Sequence, residues 1–128
     1  MSISKKGIGT YDSVRDQDVV STKSPVALVT MLFDKACVLL KTAMRALESN
    51  DNQAFHQSAL HALQIVLSLR FVLDTDSGSE LSQSLFGTYT TIAASLKKAK
   101  EEQDAAAIAT IYEALDELRT AWHSVAEP

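Results

Sequence analysis

The stretch SPVALVTMLFDKACVLLKTAMRAL, Ser24 to Leu47, decides the fold. Ser24 reads as a helix N-cap and Pro25 as the first helical residue, where a missing N–H costs nothing. Behind them the apolar positions form two adjoining rows. One runs Leu28, Leu32, Ala36, Leu39, Ala43, Leu47; the other runs Val29, Phe33, Ala36, Leu40, Met44. Steps of three and four place both rows on one side of a helix, broader than a coiled-coil seam needs. Thr30, Asp34, Lys35, Lys41, Thr42 and Arg45 fill the polar arc. Such a helix can touch two neighbours at once, so the rest of the chain is expected to pack around it.

This helix is predicted to end near Glu48-Ser49, with Asn50-Asp51-Asn52 as a turn and Asp51 or Asn52 capping the next helix. The second helix is predicted to run to about Asp74 and carries two apolar faces. Phe55, Ala59, Ala62, Val66, Leu69 and Leu73 make the first, widened by Ile65 and Val72. Leu60, Leu63, Leu67 and Phe71 make the second, rotated by roughly 120° at 3.6 residues per turn. Gln57, His61, Gln64 and Ser68 are left for water. A helix this apolar is either central to a bundle or exposes a groove for a partner. Only one of the two faces is expected to be core.

Thr75 to Ser79 reads as a loop containing Gly78. A third helix, about Ser79 to Glu102, has a narrower stripe of Leu81, Leu85, Tyr89, Ile92, Leu96 and Ala99. Lys97, Lys98 and Lys100 in its last turns suit the helix dipole. Asp104 caps a fourth helix with the stripe Ile108, Ile111, Tyr112, Leu115, Leu118, Trp122 and Val125, while Glu113, Asp116, Glu117 and Arg119 face water. Four helices joined by short loops predict an all-α, antiparallel up-down four-helix bundle over residues 24–126. Residues 1–23 form a separate N-terminal segment. Ile8, Tyr11 and Val14 are spaced by three there, and the residues alone leave open a docked helical turn or an unstructured lead.

A chain of 128 residues with four glycines, two prolines and one cysteine suits a single helical domain, and one cysteine allows no disulfide within the chain. Its net charge of −4, without a long basic cluster, argues against nucleic acid as the main partner. No apolar run reaches membrane-span length and no signal-peptide pattern is visible, so the expectation is a soluble, cytoplasmic protein.

Little in the chain reads as catalysis. His56 and His61 are five apart, splayed by roughly 140° on a helix, so they lack the i, i+4 spacing of a helical zinc site. No Glu-x-x-His pair for a diiron bundle occurs. Cys37 reads as packing, and Gly7-Ile8-Gly9 follows no strand, so it is no phosphate cradle. His61-Ala62-Leu63-Gln64 resembles the phospho-accepting histidine of phosphotransfer domains. Those usually place Lys then Gly where Gln64 and the bulky Ile65 stand. Trp122 and Tyr112 read as core-edge aromatics that need polar partners if buried. The expectation is a binding module, not an enzyme, with no cofactor and no metal. A phosphotransfer domain and a helical adaptor for an unrelated client are the alternatives.

The assembled residues resemble the flagellin-specific export chaperones, the FliS family. Gly7-Ile8-x-x-Tyr11-x-x-Val14 looks like the family's leading segment. Ser24-Pro25-x-x-Leu28-x-x-Met31-Leu32-Phe33-Asp34 is similar to its SPxxLxxMLYDG signature. Ala62, Ile65, Leu69 and Leu73-Asp74 fit, as do Gly78-x-Glu80-Leu81, Leu85, Tyr89, Ala99, Asp104, Ala121 and Trp122. Phe33 and Lys35 depart from the usual Tyr and Gly; Ser79, Ser84 and Thr88 replace a usual Gly, Asn and Leu.

The resemblance implies a four-helix bundle that binds the disordered C-terminal segment of flagellin in the cytoplasm. It would prevent premature polymerisation and assist delivery to the flagellar type III export gate. It also implies that the N-terminal segment occupies part of the client surface of the empty chaperone, and that Ile8 and Tyr11 serve handover to the gate. The residues expected to meet the client or to cap its site are Ile8, Tyr11 and Val14 of that segment; Leu28 and Met31 of the first helix; Leu60, Leu63, Leu67 and Phe71 of the second; and Leu81, Leu85 and Tyr89 of the third. Which flagellin is bound, and whether the chaperone forms a homodimer, is not written in these residues.

Overall fold

Each of the four helices is delimited by signals that the sequence carries. The computed structural model describes residues 25–73 and 79–126. Within them α1 spans Pro25–Glu48, α2 Asn52–Leu69, α3 Glu80–Glu102 and α4 Ala105–Ala126, with a short 3-10 turn at Arg70–Val72. The expectations attached to Ser24, to Ile8, Tyr11 and Val14, and to the loop at Gly78 lie outside the described residues.

The α1–α2 and α3–α4 turns use the same local chemistry. Asn50 and Gln103 adopt left-handed backbone, with φ of 58° and 51°. The next N–H in each case reaches back to a carbonyl of the last helical turn, Asp51 to Ala46 at 2.9 Å and Asp104 to Ala99 at 3.0 Å. This satisfies carbonyls that the helix end would otherwise strand. The same aspartates then cap the following helices: Asp51 Oδ1 accepts from the Ala54 N–H and Asp104 Oδ1 from the Ala107 N–H, both at 3.1 Å. At the start of α3, Ser79 Oγ accepts from the Ser82 N–H.

Turns this tight make sequential helices antiparallel neighbours. Helix α1 packs on α2 and α4, and α3 packs on the same two, so the diagonals are α1 with α3 and α2 with α4. The broad face of α1 explains the arrangement. Val29, Phe33, Ala36 and Leu40 are buried, whereas Leu32, Leu39 and Leu47 are half-buried against the core, and Leu28 is half-buried. Thr30, placed in the polar arc by sequence, is buried; its hydroxyl donates to the Ala27 carbonyl at 2.8 Å and so needs no water.

In α2 the first apolar face is core, with Phe55, Ala59, Ala62, Val66 and Leu69 buried and Ile65 beside them. The helix tightens earlier than its apolar pattern suggests. The Arg70 N–H bonds the Leu67 carbonyl three residues back, and Leu73 is already extended. A 3-10 turn of this kind closes a helix end without a glycine. The seam between α3 and α4 is the thinnest of the four. No helix among the described residues is long and apolar enough to cross a membrane.

Candidate functional site

Burial removes most large apolar side chains from water but leaves eight exposed among the described residues: Met31, Val38, Leu60, Leu67, Phe71, Leu81, Phe86 and Val125. Leu60, Leu67 and Phe71 belong to α2 and its closing turn, Leu81 and Phe86 to α3, Val125 to the end of α4, and Met31 and Val38 to α1. Clustered exposure marks an interaction surface more than scattered exposure does.

One side of α3 faces α2. Arg70 stacks on Phe86 with 4.9 Å from guanidinium carbon to ring centre, and Gln103 Nε2 lies 3.3 Å from His56 Nε2. These two contacts fix the antiparallel register of α2 against α3. Here α2 exposes Leu60 and Leu67, the turn exposes Phe71 at 82%, and α3 exposes Phe86. Spacings of seven and four keep Leu60, Leu67 and Phe71 in one row.

The other side of α3 faces α4 across an open groove of about 620 Å³. Ser84, Gly87, Thr88 and Thr91 line it from α3, Ala114 and Leu118 from α4, with Glu117 at its edge. These small side chains leave space between the helices; a Cβ added at Gly87 would meet nothing within 4 Å. Leu81, 69% exposed, stands one turn before Leu85 and two turns before Thr88; Val125, 60% exposed, stands two turns after Leu118. They continue the wall in apolar form. Tyr89 and Trp122 close the inside of this seam, with the indole N–H donating to the Tyr89 hydroxyl at 3.0 Å.

The α1–α4 seam is polar where the others are apolar. Arg119 pairs with Asp116 at 2.8 Å and reaches Asp34 of α1 at 3.6 Å, and His123 Nε2 lies 2.8 Å from Asp34 Oδ1. Sequence placed Asp116 and Arg119 in water; both are half-buried, and Arg119, paired with Asp116 on its own helix, reaches across to α1. Lys41 lies 5.5 Å from the centre of the Tyr112 ring across the same seam. Cys37 is buried beside this cluster as a free thiol, and its pKa is pushed up to about 11. Burial is the main cause, and the Asp116 and Asp34 charges add to it against Arg119. A thiol held protonated in this way is packing and not a nucleophile. Among the described residues no group of His, Cys, Asp or Glu could hold a metal ion.

The sequence-derived residues separate into distinct environments. Leu60, Leu67, Phe71 and Leu81 are exposed around α3, and Leu85 is half-buried beside them. Leu28 is half-buried on α1, and Met31 is exposed on that helix, away from α3. Leu63 and Tyr89 belong to the core, at 8% and 0% exposure, so neither offers a surface to a client in this structure. Sequence reasoning missed Phe86, Val38, Arg70 and the α3–α4 groove. Phe86 is adjacent to the Leu85 stripe position, a doubling like that which revealed the second face of α2. Val38 is hidden between Cys37 and Leu39 in a run that is apolar on every side.

A four-helix bundle that leaves this much apolar surface on both sides of one helix is built as a binding module. The chain belongs to the FliS family, whose model, described as flagellar protein FliS, matches residues 7–128. It is 30% identical over 118 residues to the flagellar secretion chaperone FliS of Escherichia coli K12, covering 91% of this chain and 87% of that one. It is 31% identical over 120 residues to the protein of the same description from Salmonella typhimurium, covering 93% and 89%. With the Bacillus subtilis protein it shares 26% over 106 residues, covering 83% and 78%. This is a flagellar chaperone family and not an enzyme family.

Proposed function

We propose that the protein is a cytoplasmic export chaperone that holds the C-terminal segment of flagellin along the apolar surfaces flanking α3. The observation that carries this is the exposure of Leu60, Leu67, Phe71, Leu81, Phe86 and Val125 on α2, its closing turn, α3 and α4. The description of the relatives as flagellar secretion chaperones supports it. An amphipathic client segment offers anchors at i, i+3, i+4 and i+7, which can meet an apolar row on a facing helix. A disordered client must be ordered on binding, at a cost of several kcal/mol, and contacts on both sides of α3 offset that cost.

Covering its client's apolar segment would keep flagellin from polymerising before export, and the complex would then meet a component of the export gate. In this reading Ile8, Tyr11 and Val14 compete with the client for the surface until it arrives, and Ile8 and Tyr11 take part in handover. Seeded polymerisation of flagellin, followed by light scattering, tests the reading. Equimolar chaperone should suppress growth; growth at the unassisted rate would refute it.

A further inference from the structure

Among the described residues Arg70 is the only lysine or arginine of α2 and its closing turn; it follows Leu67 by three residues, precedes Phe71, and is turned from their row towards α3. Its guanidinium lies over the Phe86 ring, and its Nε is buried with no hydrogen-bond acceptor. The ion pairs among the described residues are Lys97 with Glu101 and the cluster of Asp34, Asp116, Arg119 and His123. Arg70 is in neither. A ring face attracts the cation but accepts none of the in-plane N–H bonds that a guanidinium offers to a carboxylate. Leaving a buried donor unpaired is costly, and a charge-assisted bond formed in partly dehydrated surroundings is stronger than one in water.

We infer that the α2–α3 groove takes a segment that is apolar on one face and carries a carboxylate, which pairs with Arg70. This rests on the proposed client surface and adds the chemistry of its occupant. The chain as a whole carries a net charge of −4 and so repels acidic segments at long range. A single cation beside the apolar row therefore fixes where along the client the carboxylate must fall, setting register as well as affinity. The carboxylate is either an acidic side chain or the free end of a C-terminal segment; the two have the same chemistry at Arg70.

Calorimetry with three flagellin C-terminal peptides distinguishes the sources: the native segment, the same segment amidated at its C-terminus, and one with every Asp and Glu replaced by Asn and Gln. The protein should bind one of the modified peptides about tenfold more weakly than the native one. Arg70→Gln should weaken native binding by a similar factor while leaving its affinity for that modified peptide unchanged. Equal affinity of the unaltered protein for all three peptides overturns the inference and leaves the client surface standing. So does an Arg70→Gln variant that weakens all three alike while lowering stability. Binding of none of the peptides removes both proposals. If Arg70→Gln does not fold, the three-peptide comparison on the unaltered protein decides alone.

Discussion

The indole N–H of Trp122 donates to the hydroxyl of Tyr89 at 3.0 Å, joining α4 to α3 beneath the apolar surface. The Tyr89 ring also meets Phe33 of α1 edge-on, with centroids 5.8 Å apart. Three helices thus share one aromatic node, which holds the thin α3–α4 seam together without filling its outer groove. Tyr89→Phe removes the acceptor and keeps the ring. Stability should fall by about 1–2 kcal/mol in urea titration, the cost of a stranded partly buried donor. Flagellin affinity should be unchanged, because Tyr89 has no exposed surface. Weaker binding at unaltered stability would make Tyr89 a client contact.

The two faces of α2 should separate stability from binding. Leu69→Ala empties a fully buried position and should cost about 2–5 kcal/mol. Phe71→Ala and Leu67→Ala touch exposed side chains and should each cost under about 1 kcal/mol of stability. If these are client anchors, each should weaken binding by more than about 1 kcal/mol. Equal destabilisation at Leu69 and Leu67, with binding intact, would show that α2 is central on both faces.

How much of this was legible in the sequence depends on what each residue type signals. The caps at Asp51 and Asp104 were readable because a short acceptor before an apolar run has one economical use. The core face of α2 was readable because its steps of three and four admit one surface. The chain ends of these rows were less so. Tyr89 sits in the α3 stripe like Leu81, yet one is buried and the other exposed, because Leu81 lies in the first turn, beyond the reach of facing side chains. The stacking of Arg70 on Phe86 and the Arg119 cluster depend on register between helices, which no local spacing encodes.

Burial of Cys37 gives a signed pH dependence. Its folded pKa of about 11 lies above the ordinary thiol value of 9.0. Well below pH 9 both states keep the proton and the thiol adds no slope. As pH rises from about 9 towards 11 the unfolded state releases a proton that the folded state retains, so stability falls across that window. Tyr89, also raised by burial against its bond from Trp122, adds a slope of the same sign above pH 10. Cys37→Ala should show a shallower decline between pH 9 and pH 11. Ellman's reagent should label the thiol only when denaturant is present; rapid labelling of the folded protein would contradict its burial.

Gln103 occupies a left-handed position that glycine adopts without penalty. Gln103→Gly should therefore stabilise the protein by up to about 1 kcal/mol, even though it loses the exposed contact with His56. A lower melting temperature in this variant would mean that the His56 contact outweighs the backbone strain.

Titration calorimetry of the protein with full-length flagellin and with flagellin lacking its C-terminal segment tests the central claim most directly. The account predicts a near one-to-one complex with intact flagellin, a negative heat-capacity change from apolar burial, and no measurable binding once the segment is removed. Undiminished affinity for the truncated flagellin would contradict it.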